Sequence, residues 1–346
     1  MIPMAYIALY RKYRPQKFSD VIGQDVVVSQ LSEQIKNKTI AHAHLFSGGR
    51  GTGKTSVARI FAREIGCSDE DIYEIDAASN RSIDDVRAIR DVVHISPFSS
   101  PYKIYIVDEA HMLTKEAWNA LLKTLEEPPA HVIFILATTE KHKVPDTIIS
   151  RCQVFDFRKP SRAELVQTIE KVAKAEKYSL PKAGAEHIAL LGDGSYRDTY
   201  GILEKVIQSS KDTKITLDEI LEVTGAPQSD LVLNVIKYVG EKKADDAIGE
   251  IQKASVKGVD MKVFMELLLL RLRLVLLIRY APKTGNILKE SVPEEEQKTL
   301  EEMAKDKDLK FTGETLLAFL DASKMLSFAT VPELPIELAI IKLCEK

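Results

Sequence analysis

The octet Gly48-Gly49-Arg50-Gly51-Thr52-Gly53-Lys54-Thr55 restricts the possible folds of this chain more than anything else in it. Its spacing, G-x-x-x-x-G-K-T, is that of a phosphate-binding loop, a motif that counts only between a strand and a helix. Here the apolar stretch HLFSG runs into it and the helical pattern SVARIFAREIG runs out of it. The glycines let the backbone curl until its N–H groups and the N-terminus of the next helix face a phosphate. Lys54 would reach the β- and γ-phosphates, the Thr55 hydroxyl would bind Mg2+, and Ser56 opens the helix behind them. The expectation is ATP or GTP binding at the edge of a parallel sheet.

The rest of the first half fits such a sheet. Between Ala43 and Phe157 the short apolar runs HLFSG, DIYEID, KIYIVDE, HVIFILATT and QVFDF alternate with helical patterns, the rhythm of repeated βα units. Helices are expected over Ile83–Val93 and Lys115–Leu125. The third run ends in Asp108-Glu109, which puts two carboxylates at the phosphate end of the sheet. Asp108 would hold Mg2+ and Glu109 would polarise the attacking water, which implies hydrolysis and not only binding. The fourth run ends in Thr138-Thr139, where a hydroxyl could report a γ-phosphate, although threonine also favours strands by propensity. Arg151, in Ser150-Arg151-Cys152, suits charge stabilisation on a transferring phosphate, also across a subunit boundary, but a lone arginine is commonly a surface ion pair. Arg197, in Gly194-Ser195-Tyr196-Arg197-Asp198, could touch the nucleotide in cis, with Asp198 as a helix-start acid.

At 346 residues the chain is too long for one ordinary core. Strand patterns stop after Lys159, where Ser161 and Glu164 form a capping box, and Gly225-Ala226-Pro227 marks a second boundary. Domains are therefore expected at 1–159, 160–225 and 226–346, the last two helical. Residues 282–308 turn polar and read as a solvated loop and helix surface. The greasy run Met261–Tyr280 is broken by charges, including Arg271, Arg273 and Arg279, so it reads as a buried or subunit-contact helix and not a membrane span. A net charge of −3 excludes a wholly basic coat, so any nucleic-acid contact must be local. The three cysteines, Cys67, Cys152 and Cys344, are far apart, which fits a reducing compartment and offers no zinc quartet. The start lacks a secretory signal, so the cytoplasm is expected. His42, His44 and His111 have no metal-ligand spacing, and Trp118 reads as core.

Several segments occur together in a specific order: ALYRKYRPQKFSDVIGQ, HAHLFSGGRGTGKTSVAR, EIDAASN, IYIVDEAHMLTKEAWNALLKTLEEPP, FILATTE, SRCQVF and GSYRD. They resemble the tau/gamma motor subunits of the bacterial DNA polymerase III clamp loader, a family of AAA+ ATPases. The resemblance covers residues 1 to about 210, and the helical remainder matches in size and position. IDAAS with NALLKTLEEPP is far more specific than the phosphate-binding loop, which unrelated families share.

The resemblance implies an α/β P-loop AAA+ module, a helical lid and an all-helical collar. It places Tyr10, Arg14, Pro15 and Ile22 around the adenine and ribose, so RKYRP need not be a DNA patch. It makes Thr139 sensor 1, Arg197 the sensor 2 arginine, and Arg151 a finger completing a neighbouring subunit's site in trans, so hydrolysis should need an oligomer. The implied activity is ATP- and Mg2+-dependent loading of a sliding clamp onto primed DNA. Implied partners are delta and delta-prime type subunits, the clamp, primer-template DNA through its backbone, and other copies of the chain through the collar. Neither a polymerase nor a nuclease carboxylate constellation is visible.

Members usually carry a four-cysteine zinc module before IDAAS; here only Cys67 stands at its start, so zinc is not expected. The resemblance also implies a long form with a polymerase- and helicase-binding extension, which is not expected among these 346 residues. Two alternatives share parts of the pattern: a replication factor C-like small subunit or branch-migration motor, and a non-hydrolysing subunit of the delta-prime type. The first lacks IDAAS with LLKTLEEPP, and intact Lys54, Thr55, Asp108 and Glu109 argue against the second.

Overall fold

Five parallel strands form one sheet in the order β2-β3-β4-β1-β5: β1 Ala43–Gly48, β2 Ile72–Asp76, β3 Lys103–Asp108, β4 Val132–Thr138 and β5 Gln153–Phe157. The computed structural model that gives this architecture describes residues 6–80, 92–288, 292 and 294–345. β4 is buried at every position and β1 and β3 at all but the last, which is why they read as continuous apolar runs and not as alternating ones. Successive residues still point to opposite faces. Phe46, Ile104, Ile133 and Ile135 pack with Val27 and Leu31 of the helix Asp25–Asn37 and with Val57 and Phe61 of the helix Lys54–Glu64. On the other face Leu45, Tyr105, Phe134 and Leu136 pack with Trp118, Leu121 and Leu125 of the helix Lys115–Glu126, so Trp118 is core, as expected.

The parallel register sets Ser47 beside Thr138 and Asp76 beside Asp108, so the carboxyl ends of four strands finish on one edge. That edge, where β1 lies between later strands and not beside β2, is where ligands bind in open α/β sheets. The expected helix Ile83–Val93 lies outside the described residues except for its last two positions.

The chain divides into two compact units: Met1–Leu165 with Gly192–Gly201, and Val166–Leu191 with Ile202–Lys346. The capping box opening the helix Arg162–Ala175 forms as expected: Ser161 N–H donates to Glu164 Oε2 at 2.7 Å, and Glu164 N–H donates to Ser161 Oγ at 3.3 Å.

Among its described residues the second unit is helical, and its core is centred on the helix Met261–Tyr280. Asp260 caps that helix by accepting from Lys262 N–H at 2.8 Å, and Met261, Met265 and Leu272 are buried along it. No helix among the described residues is long and apolar enough to cross a membrane.

Arg271, read from sequence as a charge interrupting an apolar run, is buried and forked onto the buried carboxylate of Glu296 at 2.6 and 2.8 Å. Glu296 also accepts Ser229 Oγ at 2.6 Å. The solvated surface expected over 282–308 is thereby corrected. The helix Glu294–Lys305 buries Leu300, Met303 and Ala304 in the core, and Arg271 neutralises the carboxylate that goes in with them.

Candidate functional site

The phosphate-binding loop links β1 to the helix Lys54–Glu64. Gly53, the residue before that helix, has φ 101°, where side chains with a Cβ are strained. Gly51 has φ 69°, and a Cβ there would lie 2.0 Å from Ser195 Oγ. The loop is also hydrogen-bonded to its surroundings. Thr52 is buried and donates from Oγ1 to Gly49 O at 2.9 Å. Gln24 Nε2 donates to Arg158 O at 2.8 Å and to Thr52 O at 3.4 Å. Tyr196 donates from its backbone N–H to Gly51 O at 3.0 Å and from its hydroxyl to Ile22 O at 3.0 Å.

Lys54 is buried, its ammonium donating to Gly48 O and Gly49 O at 2.8 Å each. Burial lowers its pKa, against the opposing pull of Glu109 and Asp108. Thr55 Oγ1 donates to Asp108 Oδ2 at 2.7 Å, which joins the two residues singled out for Mg2+. Hydroxyl and carboxylate oxygens are the donors this hard cation takes from P-loop proteins. Among the described residues no cluster of three or more His, Cys, Asp or Glu could hold a metal ion by itself.

Glu109 follows with its backbone in the left-handed region, φ 47° and ψ 42°. Its Oε2 accepts from Thr139 Oγ1 at 2.9 Å, so the expected water-polarising acid and the expected sensor are in direct contact. His111 was not chosen from the sequence, yet it lies in the same network. Its Nδ1 is 3.1 Å from the buried Thr138 hydroxyl and 3.4 Å from Glu109 Oε2, and its Nε2 is 3.5 Å from Glu140 Oε1. By contrast, His44 is core, stacked near Phe155, and burial lowers its pKa to about 4. Beside Thr139, a cavity of about 500 Å3 is lined by Gly48, Gly49, Lys141 and Asp146.

The N-terminal segment meets the start of the helix Tyr196–Ser209 in the same unit. The Arg197 guanidinium lies 5.1 Å from the centre of the Tyr10 ring, within cation–π range. Arg14 is partly buried, and burial followed by repulsion from Arg59 and Arg197 lowers its pKa, with Glu74 opposing. Tyr10, Arg14 and Arg197 therefore form one electropositive corner suited to an anionic ligand. Pro15 lies partly buried in the same segment, and Ser56 is partly buried in the first turn after the loop. Asp198 lies in the first turn of the helix Tyr196–Ser209, as expected of a helix-start acid, with the exposed Arg50 guanidinium 3.9 Å away. Arg151 is elsewhere: it pairs with Glu126 at 2.7 Å and with the Thr147 carbonyl at 2.7 Å.

Family models match residues 23–81 and 70–161 as DNA polymerase III, delta subunit, and 215–346 as DNA polymerase III subunits gamma and tau domain III. The DNA polymerase III subunit tau of Bacillus subtilis is 37% identical over 99% of this chain and 64% of its own length. The gamma/tau subunit of Mycobacterium tuberculosis is 35% identical over 86% of this chain and 56% of its own. The chain belongs to the DNA polymerase III tau/gamma family. It spans about half to two thirds of the length of these relatives. Among solved structures, the Thermotoga maritima RuvB Holliday junction branch migration motor aligns with TM-score 0.53 at 20% identity, over 84% of this chain and 90% of that one. That likeness supports the AAA+ fold alone.

Within this tau/gamma chain the residues missed from sequence are Gln24, His111, Ser195 and Tyr196. His111 carried a usable signal, since it lies three residues after Asp108 on the same strand exit. Gln24 and Tyr196 act on partners 134 and 174 residues away, which no local pattern can announce. Cys67 is buried, its thiol donates to Tyr102 O at 3.3 Å, and burial pushes its pKa up to about 11.

Proposed function

We propose that this chain is the ATP-hydrolysing motor subunit of a bacterial DNA polymerase III clamp loader, acting in the cytoplasm to load a sliding clamp onto primed DNA. The observation that carries the reading is the pairing of Thr55 with Asp108 and of Thr139 with Glu109 at one sheet edge. Lys54 and the loop amides bind the phosphates, and Thr55 and Asp108 hold Mg2+. Held by these two residues, the ion would supply neutralisation of charge on the phosphate oxygens. Glu109 orients and polarises the attacking water, and Thr139 fixes the Glu109 carboxylate through its hydroxyl. Tyr10, Arg14, Pro15 and Ile22 surround the adenine and ribose, and Arg197 reads the nucleotide in cis.

Arg151 completes the site of a neighbouring copy, which makes turnover depend on assembly. The assignment of residues 226–346 as a collar, after a module over 1–159 and a lid over 160–225, is supported by exposed apolar side chains on the last two helices. Leu317 and Leu320 of Gly313–Met325 and Leu334, Leu338 and Ile341 of Leu334–Cys344 face outward, a surface suited to subunit association. Delta and delta-prime type subunits and primer-template DNA, held by its backbone, complete the assembly.

The test is steady-state ATPase of the chain with delta-type partners and sliding clamp, with and without primed DNA, for wild type and Arg151→Ala. Stimulation by clamp and DNA that is lost in the variant is expected. Equal, DNA-insensitive turnover in both proteins would overturn the reading.

A further inference from the structure

Arg151 is held from two sides by its own subunit. One terminal nitrogen donates to the Thr147 carbonyl at 2.7 Å, and the other donates to Glu126 Oε1 at 2.7 Å. Glu126 is the last residue of the helix Lys115–Glu126, whose opposite face, with Trp118, Leu121 and Leu125, is locked into the sheet core. Thr147 belongs to the short helix Asp146–Ile149, anchored by buried Ile148. Both anchors are therefore mounted on packed elements, while the pair itself stays open: the two side chains are 35% and 44% exposed. An ion pair so exposed contributes little to folding.

Its effect falls on the arginine. A long side chain left unrestrained must be ordered when it meets its target, which slows the step it serves. A guanidinium has five N–H donors in a rigid fork, and the hydrogen bonds to Thr147 and Glu126, with a longer one to Ser150 Oγ at 3.4 Å, occupy only part of it. The rest can still meet an anion while the plane is held. We infer that Glu126 is a positioning residue for Arg151, fixing the guanidinium plane before the arginine engages a phosphate across the subunit boundary. This rests on the trans role proposed above for Arg151. The logic is that of a carboxylate that orients a ligating histidine without touching the metal.

The experiment uses the assembled clamp loader with sliding clamp and primed DNA. Glu126→Ala should lower kcat for ATP about tenfold, with KM changed less than twofold, because ordering and not ground-state binding is lost. Glu126→Gln, which keeps the acceptor oxygen, should recover most of the rate. In an Arg151→Ala background Glu126→Ala should have no further effect. A wild-type kcat in Glu126→Ala, or a loss that multiplies with that of Arg151→Ala, overturns the inference while leaving the trans arginine intact. No loss in Arg151→Ala itself removes the trans arginine and the inference together.

Discussion

Two polar networks in this chain use the same chemistry to different ends. At the sheet edge Thr55, Asp108, Glu109 and Thr139 are joined by short hydrogen bonds and remain partly accessible. In the helical unit Arg271, Glu296 and Ser229 are joined by bonds as short, but both members of the ion pair are sealed in the core. The first arrangement can exchange its partners for a ligand, because water already reaches it. The second cannot, since losing either ion leaves the other charged and dry.

The widest break between the two networks should come from Glu109→Gln. Its removal of one charge from the open network is expected to slow hydrolysis in the assembled complex by about 10²–10⁴-fold while nucleotide binding persists. Single-turnover rates beside equilibrium nucleotide titration check this. If binding is lost in parallel, the glutamate is part of the binding pocket and not the base.

The sealed network should answer in stability. Arg271→Ala is expected to cost about 3–5 kcal/mol in denaturant unfolding, because the buried Glu296 carboxylate loses its counter-ion. Replacing both ions together, Arg271→Met with Glu296→Leu, should recover most of that loss, because the cost lies in the unpaired charge and not in the absent pair. A double variant as unstable as the single one would mean that the pair, and not its neutrality, organises these helices.

Asp71 sharpens the comparison, since it is a sealed carboxylate within the unit that bears the open network. It accepts backbone N–H bonds from Phe98 at 2.6 Å and from Ser99 and Ser100 at 3.0 Å. Burial alone would raise its pKa, but these donors outweigh burial and hold it down to about 2. A carboxyl depressed in the folded state stabilises above its unfolded value near 4 and loses that contribution as pH falls toward 2. Wild type should therefore lose stability between about pH 4 and pH 2 more steeply than Asp71→Asn, measured by thermal unfolding across that window. Parallel curves would assign the acid sensitivity to other carboxylates.

What the sequence disclosed follows from the same contrast. The strands were legible because each is an apolar run closed by turn residues. The open network was legible because Asp108, Glu109 and Thr139 sit at strand exits and Thr55 ends the phosphate-binding motif at the start of the helix Lys54–Glu64. Arg271 reads only as an interruption of an apolar run because a lone arginine there has no local cue to its partner, which lies 25 residues on. Glu126 lies within LLKTLEEPP, but its pairing with Arg151 depends on how two separate helices end, which no periodicity encodes.

The left-handed backbone at Glu109 has a consequence for selection. An L-residue with a Cβ is held there at a cost of about 1–2 kcal/mol that glycine would not incur. A library screened only for heat resistance should therefore enrich glycine at position 109, discarding the carboxylate that Thr139 grips. If Glu109 serves hydrolysis as proposed, folding and turnover make opposite demands on that one residue, and the identity of position 109 in an evolved population would record which of the two was under selection.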